Sequence, residues 1–149
     1  MPFAMTTRAK IIFTLIAICA ASGMAISSVS LYHHYGSSKT TFCDLSENFN
    51  CDIVNRSTYS TVFGIPDALI GIVGYAGLLG LATRYRAQVR TPMVLLLASL
   101  AGLGFALYLT YVEAFVLATW CILCLSSLAM ILVITVLSSY LAASSKALA

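Results

Sequence analysis

Residues 120–141 read WCILCLSSLAMILVITVLSSYL, an apolar run with no formal charge, opened by two cysteines three positions apart. A bilayer core of about 30 Å is crossed by roughly 20 such residues in a helix. The stretch therefore reads as a membrane span carrying a C-x-x-C pair at one rim. Three other stretches read the same way: Ile11 to Leu31, Ile65 to Ala82 and Pro92 to Val112. All four are continuous apolar runs, unlike the alternation of barrel strands, and in lipid only helices and closed barrels satisfy the backbone. The expected fold is an all-α integral membrane bundle of four transmembrane helices.

Composition agrees. Of 149 residues, 60% are hydrophobic and 9% charged, against roughly 45–50% and 25% in soluble domains. So few charges cannot wet a soluble domain of this size, which excludes an ordinary globular protein and a disordered chain. The net charge of +3 is spread over short loops with no basic face, so nucleic acid is not an expected partner. The length gives one domain, residues 1–149. Arg8 and Lys10 before the first apolar run also suit a cleaved signal peptide. The run nevertheless continues to Leu31, and Ile18 ahead of Cys19 is wrong for a lipobox, so a span is the preferred reading.

Orientation follows from the basic residues. Arg8 and Lys10 precede the first span, Arg84, Arg86 and Arg90 lie between the second and third, and Lys146 follows the fourth. All six share one side, which places both termini in the cytoplasm. Lys39 and Arg56 fall on the other side with Asp44, Glu47 and Asp52. A long loop from Tyr32 to Gly64 and a short turn from about Glu113 to Thr119 then face outward. Within the loop, Thr41 to Asn50 reads as polar and turn-like. Asp52 to Phe63 reads as a short half-helix on the membrane surface, with Ile53, Val54 and Val62 as apolar contacts. Gly64-Ile65-Pro66 ends it, with the proline in a first helical turn, where its missing N–H does no harm.

This topology sorts the five cysteines. Cys43 and Cys51 lie in the outer loop, Cys121 and Cys124 at the outer end of the fourth span, and Cys19 inside the first as a small buried hydrophobe. Four therefore converge on the face where disulfides form and persist. At a helix start, residues three apart share a face, and the orphan N–H groups and helix dipole favour the thiolate that attacks in disulfide exchange. Cys121 and Cys124 thus suit a redox pair, with a structural disulfide as the alternative. Cys43 and Cys51 enclose the seven residues Asp44 to Asn50. They read either as a shuttle from an external protein or as a staple for the loop. Cys51 is better placed to reach Cys121, and Cys43 to meet a partner.

A metal site is the weaker reading, because C-x7-C is not a zinc knuckle and an oxidising face works against free thiolates. His33 and His34 lack a matching ligand pair. Asp67 and Glu113 are the acids closest to the spans. Such groups are often functional, with solvation at the interface as the alternative. Gly71, Gly74, Gly77 and Gly80 form a smooth stripe read as a helix-packing surface, with a ligand groove as the minority reading. Trp120, Tyr108 and Tyr111 suit an interfacial aromatic belt.

With these residues assembled, the chain resembles the vitamin K epoxide reductases. The resemblance rests on Cys43 and Cys51, on Ser57 in CDIVNRS, on FGIP at 63–66, on Gly71 and Tyr75, and on WCILC at 120–124. GIP and the compact outer loop resemble bacterial members more than the vertebrate enzyme. The resemblance implies four helices around a quinone, with the loop and half-helix as a lid. It implies that Cys124 is the quinone-proximal thiol, that Cys121 exchanges with Cys51, and that Cys43 takes electrons from a partner. Ser57 would support the quinone or the thiolate, and Asp67, Phe63, Tyr75 and Leu128 would sit on the cofactor side. Leu128 stands where the vertebrate enzyme has a quinone-bonding Tyr, so that hydrogen bond is absent. Asp67 aligns near the vertebrate Asn that holds the quinone carbonyl.

The implied activity is a membrane thiol–quinone oxidoreductase that drives disulfide formation. Electrons would come from a separate thioredoxin-fold dithiol protein on the outer face, and the acceptor would be ubiquinone, menaquinone or a vitamin K-type quinone, without a metal. The expected location is a bacterial inner membrane with the active cysteines periplasmic, ahead of the endoplasmic reticulum. The alternatives are a vitamin K epoxide or quinone reductase proper and a non-catalytic tetraspan protein with structural disulfides.

Overall fold

The computed structural model describes residues 5–36 and 43–147; Lys39 and the beginning of the turn-like segment, residues 41–42, lie outside them. The chain is mostly helical. Helix α1 (Thr7–Tyr35) starts where the Thr6 side chain accepts a hydrogen bond from the Ala9 N–H, and so caps one of the orphan donors. Its buried residues Phe13, Ile16, Ala20, Gly23, Ser27 and Ser30 are spaced by three or four, which is one helix face. Ile11, Leu15 and Ile18 point outward. Helix α1 is thus an integral part of the core.

Helix α3 (Asp67–Thr83) follows, then the exposed loop carrying Arg84, Arg86 and Arg90, then α4 (Thr91–Val112) with Pro92 in its first turn. Helix α4 widens into a π-turn at Glu113–Leu117, and Ala118 in a left-handed conformation (φ 50°) ends it. Helix α5 (Ile122–Ala147) completes the chain. Helix α1 packs against α3 and α5, and α4 against α5, whereas α3 and α4 touch sparingly. Phe13, Ile16, Tyr75, Leu78, Leu95, Ile131 and Ile134 form the shared core.

Three segments are long and apolar enough to cross a membrane, Thr7–Tyr35, Thr91–Leu117 and Ile122–Ser145. The second expected stretch forms a shorter apolar helix of 17 residues, Asp67–Thr83. At 1.5 Å per residue it reaches about 26 Å, near the lower limit for a span.

The outer loop departs from an all-helical reading. Strands β1 (Asp44–Ser46) and β2 (Phe49–Asn50) form one antiparallel hairpin, and β3 (Thr61–Val62) and β4 (Ile65–Pro66) another. Between them the expected half-helix is only α2 (Cys51–Asn55) and a 3-10 turn at Thr58–Ser60. Two causes stop α2. The Ser57 hydroxyl donates back to the Val54 carbonyl at 2.8 Å, and the following TYSTV is rich in hydroxyl and β-branched residues that disfavour helix. Phe63 (φ 52°) and Gly64 (φ 80°) make the paired left-handed turn that two-residue hairpins require.

The glycine stripe is only partly a packing surface. A Cβ at Gly71 would lie 2.7 Å from the Ser27 hydroxyl, but one at Gly74, Gly77 or Gly80 would meet nothing within 4 Å. The close α1–α3 contact instead depends on Gly23, where an added methyl group would overlap the Tyr75 ring. Gly23→Ala is expected to cost about 1–3 kcal/mol through overpacking. Gly80→Ala should be neutral or stabilising by up to about 1 kcal/mol, because alanine is the better helix former. Thermal unfolding of the two variants in detergent checks the contrast.

Candidate active site

The site is assembled by backbone pairing. Cys43 stands just before β1 and Cys51 opens α2, and the two are joined as a disulfide with Cα atoms 5.6 Å apart. The β1–β2 hairpin, which pairs Asp44 with Asn50, closes this loop. The segment before α5 then joins the hairpin edge. Phe49 bridges Trp120 in parallel fashion, the Asn50 N–H donates to the Trp120 carbonyl at 3.2 Å, and the Trp120 N–H donates to the Asn48 carbonyl at 2.8 Å. Cys51 follows Asn50 and Cys121 follows Trp120, so this short ladder sets the two sulfur pairs side by side. Cys43, Cys51, Val54, Cys121 and Leu123 form one buried cluster with Cys124, Ile26 and Leu117 packed against it.

Side chains from α1 hold α2 in place. The Ser30 hydroxyl donates to Asn55 Oδ1 at 2.8 Å, the His34 ring donates to the Asn55 carbonyl, and Ser60 Oγ donates to the same carbonyl at 2.8 Å. His33 faces Asp52 at 3.8 Å, and the Arg56 guanidinium donates to the Gly36 carbonyl. The paired histidines thus brace the lid. Among the described residues no group of three His, Cys, Asp or Glu is placed to hold a metal.

Cys121 and Cys124 are free thiols. Cys121 precedes the first residue of α5 and is fully buried. Its thiol is held below the usual range, first by the hydrogen bond from Cys124, against the opposing effect of burial. A sulfur with that bias is a good leaving group in exchange. Cys124, in the first turn of α5, lies on the wall of a cavity of about 450 Å³ beside α3, α4 and α5. Asp67, Ser27 and Tyr75 supply polar groups to a lining that is otherwise largely apolar, and Gly71, Gly74 and Gly77 face it. Asp67 Oδ1 accepts from the Ala68 N–H at 2.7 Å. Tyr75 Oη donates to the Ser127 carbonyl at 2.8 Å. An apolar cavity of this size with a few convergent polar groups is the usual form of a small-molecule site, and its dimensions and lining fit a quinone ring.

Of the residues expected from sequence, the structure brings together Cys43, Cys51, Cys121 and Cys124, and it places Cys124, Asp67 and Tyr75 on the cavity. It does not bring Ser57, Phe63 or Leu128 there. Ser57 precedes the 3-10 turn with its hydroxyl turned back to the Val54 carbonyl, Phe63 is fully exposed at the hairpin tip, and Leu128 packs into the main core. Cys43 is also not on the exposed side: it is 2% exposed, because it packs in the cluster with Cys51, Val54, Cys121 and Leu123.

Sequence reading undervalues Glu113. Solvation at the interface is its ordinary expectation, yet the residue is 1% exposed. Its Oε2 accepts the Cys121 backbone N–H at 3.1 Å. Its place eight residues ahead of Cys121 is visible in the sequence, but the π-turn that folds it back onto α5 is not. Ser127 and Asn55 escape sequence reading too, since single polar residues in or beside apolar runs carry no signal of their partners.

The family described as the vitamin K epoxide reductase family matches residues 14–139, which takes in both hairpins, all five cysteines, α3 and α4 entire and most of α1 and α5.

Proposed function

This chain belongs to the vitamin K epoxide reductase family and is an integral membrane oxidoreductase, and from that premise we propose that it passes electrons from a dithiol protein outside the membrane to a quinone within it. The carrying observation is that both cysteine pairs pack in one buried cluster while Cys124 also lines the apolar cavity. In this reading the whole chain is one domain, α3 crosses the membrane as the fourth span, and both termini are cytoplasmic. The basic residues of the α3–α4 loop support that orientation. The location is a bacterial inner membrane, with the cysteine cluster on the periplasmic side.

The chemistry runs in three exchanges. A thioredoxin-fold dithiol partner reduces the Cys43–Cys51 bond and leaves as a disulfide. The Cys51 thiolate attacks Cys121 of an oxidised Cys121–Cys124 pair and releases Cys124. Cys43 then attacks Cys51, which restores the outer disulfide and expels Cys121 as thiolate. The outcome is the arrangement seen here, with the outer pair bonded and the inner pair free. A quinone, which Cys124 and Asp67 would hold at the cavity wall, would supply a two-electron, two-proton acceptor. Closing the inner pair again releases those two electrons and two protons. Because Cys43 is buried, the partner gains access when the β1–β2 hairpin lifts from the Trp120 segment.

Thiol trapping on intact membranes tests the proposal. The account predicts that added quinone shifts Cys121 and Cys124 from free to bonded, and that quinol reverses the shift. Bridges that ignore both would identify a stapled, non-catalytic protein.

A further inference from the structure

Glu113 is the buried acid that the three exchanges leave without a task. Its Oε2 takes up the first N–H of the α5 approach, that of Cys121. Its Oε1 is buried without a hydrogen-bond partner. Burying a carboxyl oxygen unpaired costs free energy, and capping α5 explains one oxygen only. Cys124 stands three residues past Cys121, whose N–H the Glu113 carboxyl holds, and packs against the same buried cluster, with that carboxyl as its electrostatic neighbour. The titratable groups facing Glu113 are Cys121 and Cys124 from the α5 end and Asp67 from α3.

We infer that Glu113 is a catalytic proton acceptor for Cys124, a role that rests on the thiol–quinone reading above. As the inner pair oxidises, the S–H bond of Cys124 breaks and its proton moves to the Glu113 carboxylate. The sulfur electron pair leaves toward the quinone, Cys121 attacks the Cys124 sulfur, and the Cys121–Cys124 bond closes as the Cys121 proton is released. Glu113 then gives up its proton, so that two thiols and a quinone become a disulfide and a quinol with the carboxylate regenerated. Cys121 and Glu113 are almost wholly buried and Cys124 is half-buried on an apolar cavity wall, a setting that favours a base built into the protein over bulk water. The helix cap also positions the carboxylate, since the N–H that fixes Oε2 belongs to the residue that must attack.

The test uses Glu113→Gln, which keeps an acceptor for the Cys121 N–H, with Glu113→Asp as a conservative partner. Quinol formation and the pH profile of Cys124 alkylation, read by mass spectrometry of the reduced protein, are measured together. The expected result is a fall of about 10²-fold or more in quinol formation, the usual size of a general-base contribution. The alkylation profile of the Glu113→Gln variant should move to lower pH, because a negative neighbour of the thiolate has been removed. Glu113→Asp should recover part of the rate. An unmoved alkylation profile, with or without lost turnover, would reduce Glu113 to a helix cap and overturn the inference. So would a shifted profile with turnover within about threefold of the parent. Failure of the unmodified protein to make quinol would instead refute the functional reading, and the alkylation arm would still decide whether Glu113 and Cys124 are coupled.

Discussion

Replacing Cys124 with serine is expected to abolish quinol formation, by at least about 10³-fold, because loss of a reacting nucleophile removes the step itself. Serine keeps the size and the helix but cannot close a bond to Cys121. The reaction should then stall one exchange earlier. With no Cys124 to pair with, Cys121 remains open to Cys51, and a Cys51–Cys121 bond should accumulate when the chain is oxidised. The short ladder between Phe49, Asn50 and Trp120 holds these residues side by side, which makes that bond geometrically accessible. Non-reducing peptide mapping detects it. Normal turnover in Cys124→Ser would remove Cys124 from the relay.

The second large effect separates entry of electrons from exit. Cys51→Ser is expected to lower turnover driven by a protein dithiol by about 10²-fold or more, because the outer pair can no longer pass electrons inward. A small dithiol that reaches the inner pair directly should still support quinol formation in the same variant. The comparison of the two reductants is the measurement. Equal loss with both would mean that Cys51 serves the fold of the lid and not the relay. The structure makes this distinction necessary, since Cys51 opens α2 and is fully buried, as a staple would be.

The long helices are legible because the bilayer imposes one strong rule: a helix that spans it must be apolar for about 20 residues. The run from Trp120 obeys that rule visibly, and α5 begins at Ile122, close to the expected start. The convergence of four cysteines follows from the same rule, since counting crossings puts them on one side. The lid is not legible. Strands of two or three residues are too short to show alternation, and β1–β2 is held in part by Trp120, far away in the sequence. The half-helix is overextended in the sequence reading because Ile53, Val54 and Val62 suggest a face, while the competing hydroxyls of Ser57 and its successors act locally against it. Phe63 and Leu128 show the limit of carrying a motif over by position alone. One points into solvent from a hairpin turn and the other faces the core, while the polar Tyr75 and Ser127 pair stands at the cavity. Glu113 is hidden for a different reason: its environment is made by a π-turn and a left-handed Ala118, neither of which has a periodic signature.

The most direct measurement is the stoichiometry of the coupled reaction. The purified chain is placed in lipid nanodiscs without oxygen, and a dithiol protein and a quinone are added in known amounts. The account predicts one quinol formed for each disulfide made in the partner, with no reaction when the chain is omitted. Partner oxidation without quinol, or quinol without partner oxidation, would contradict it.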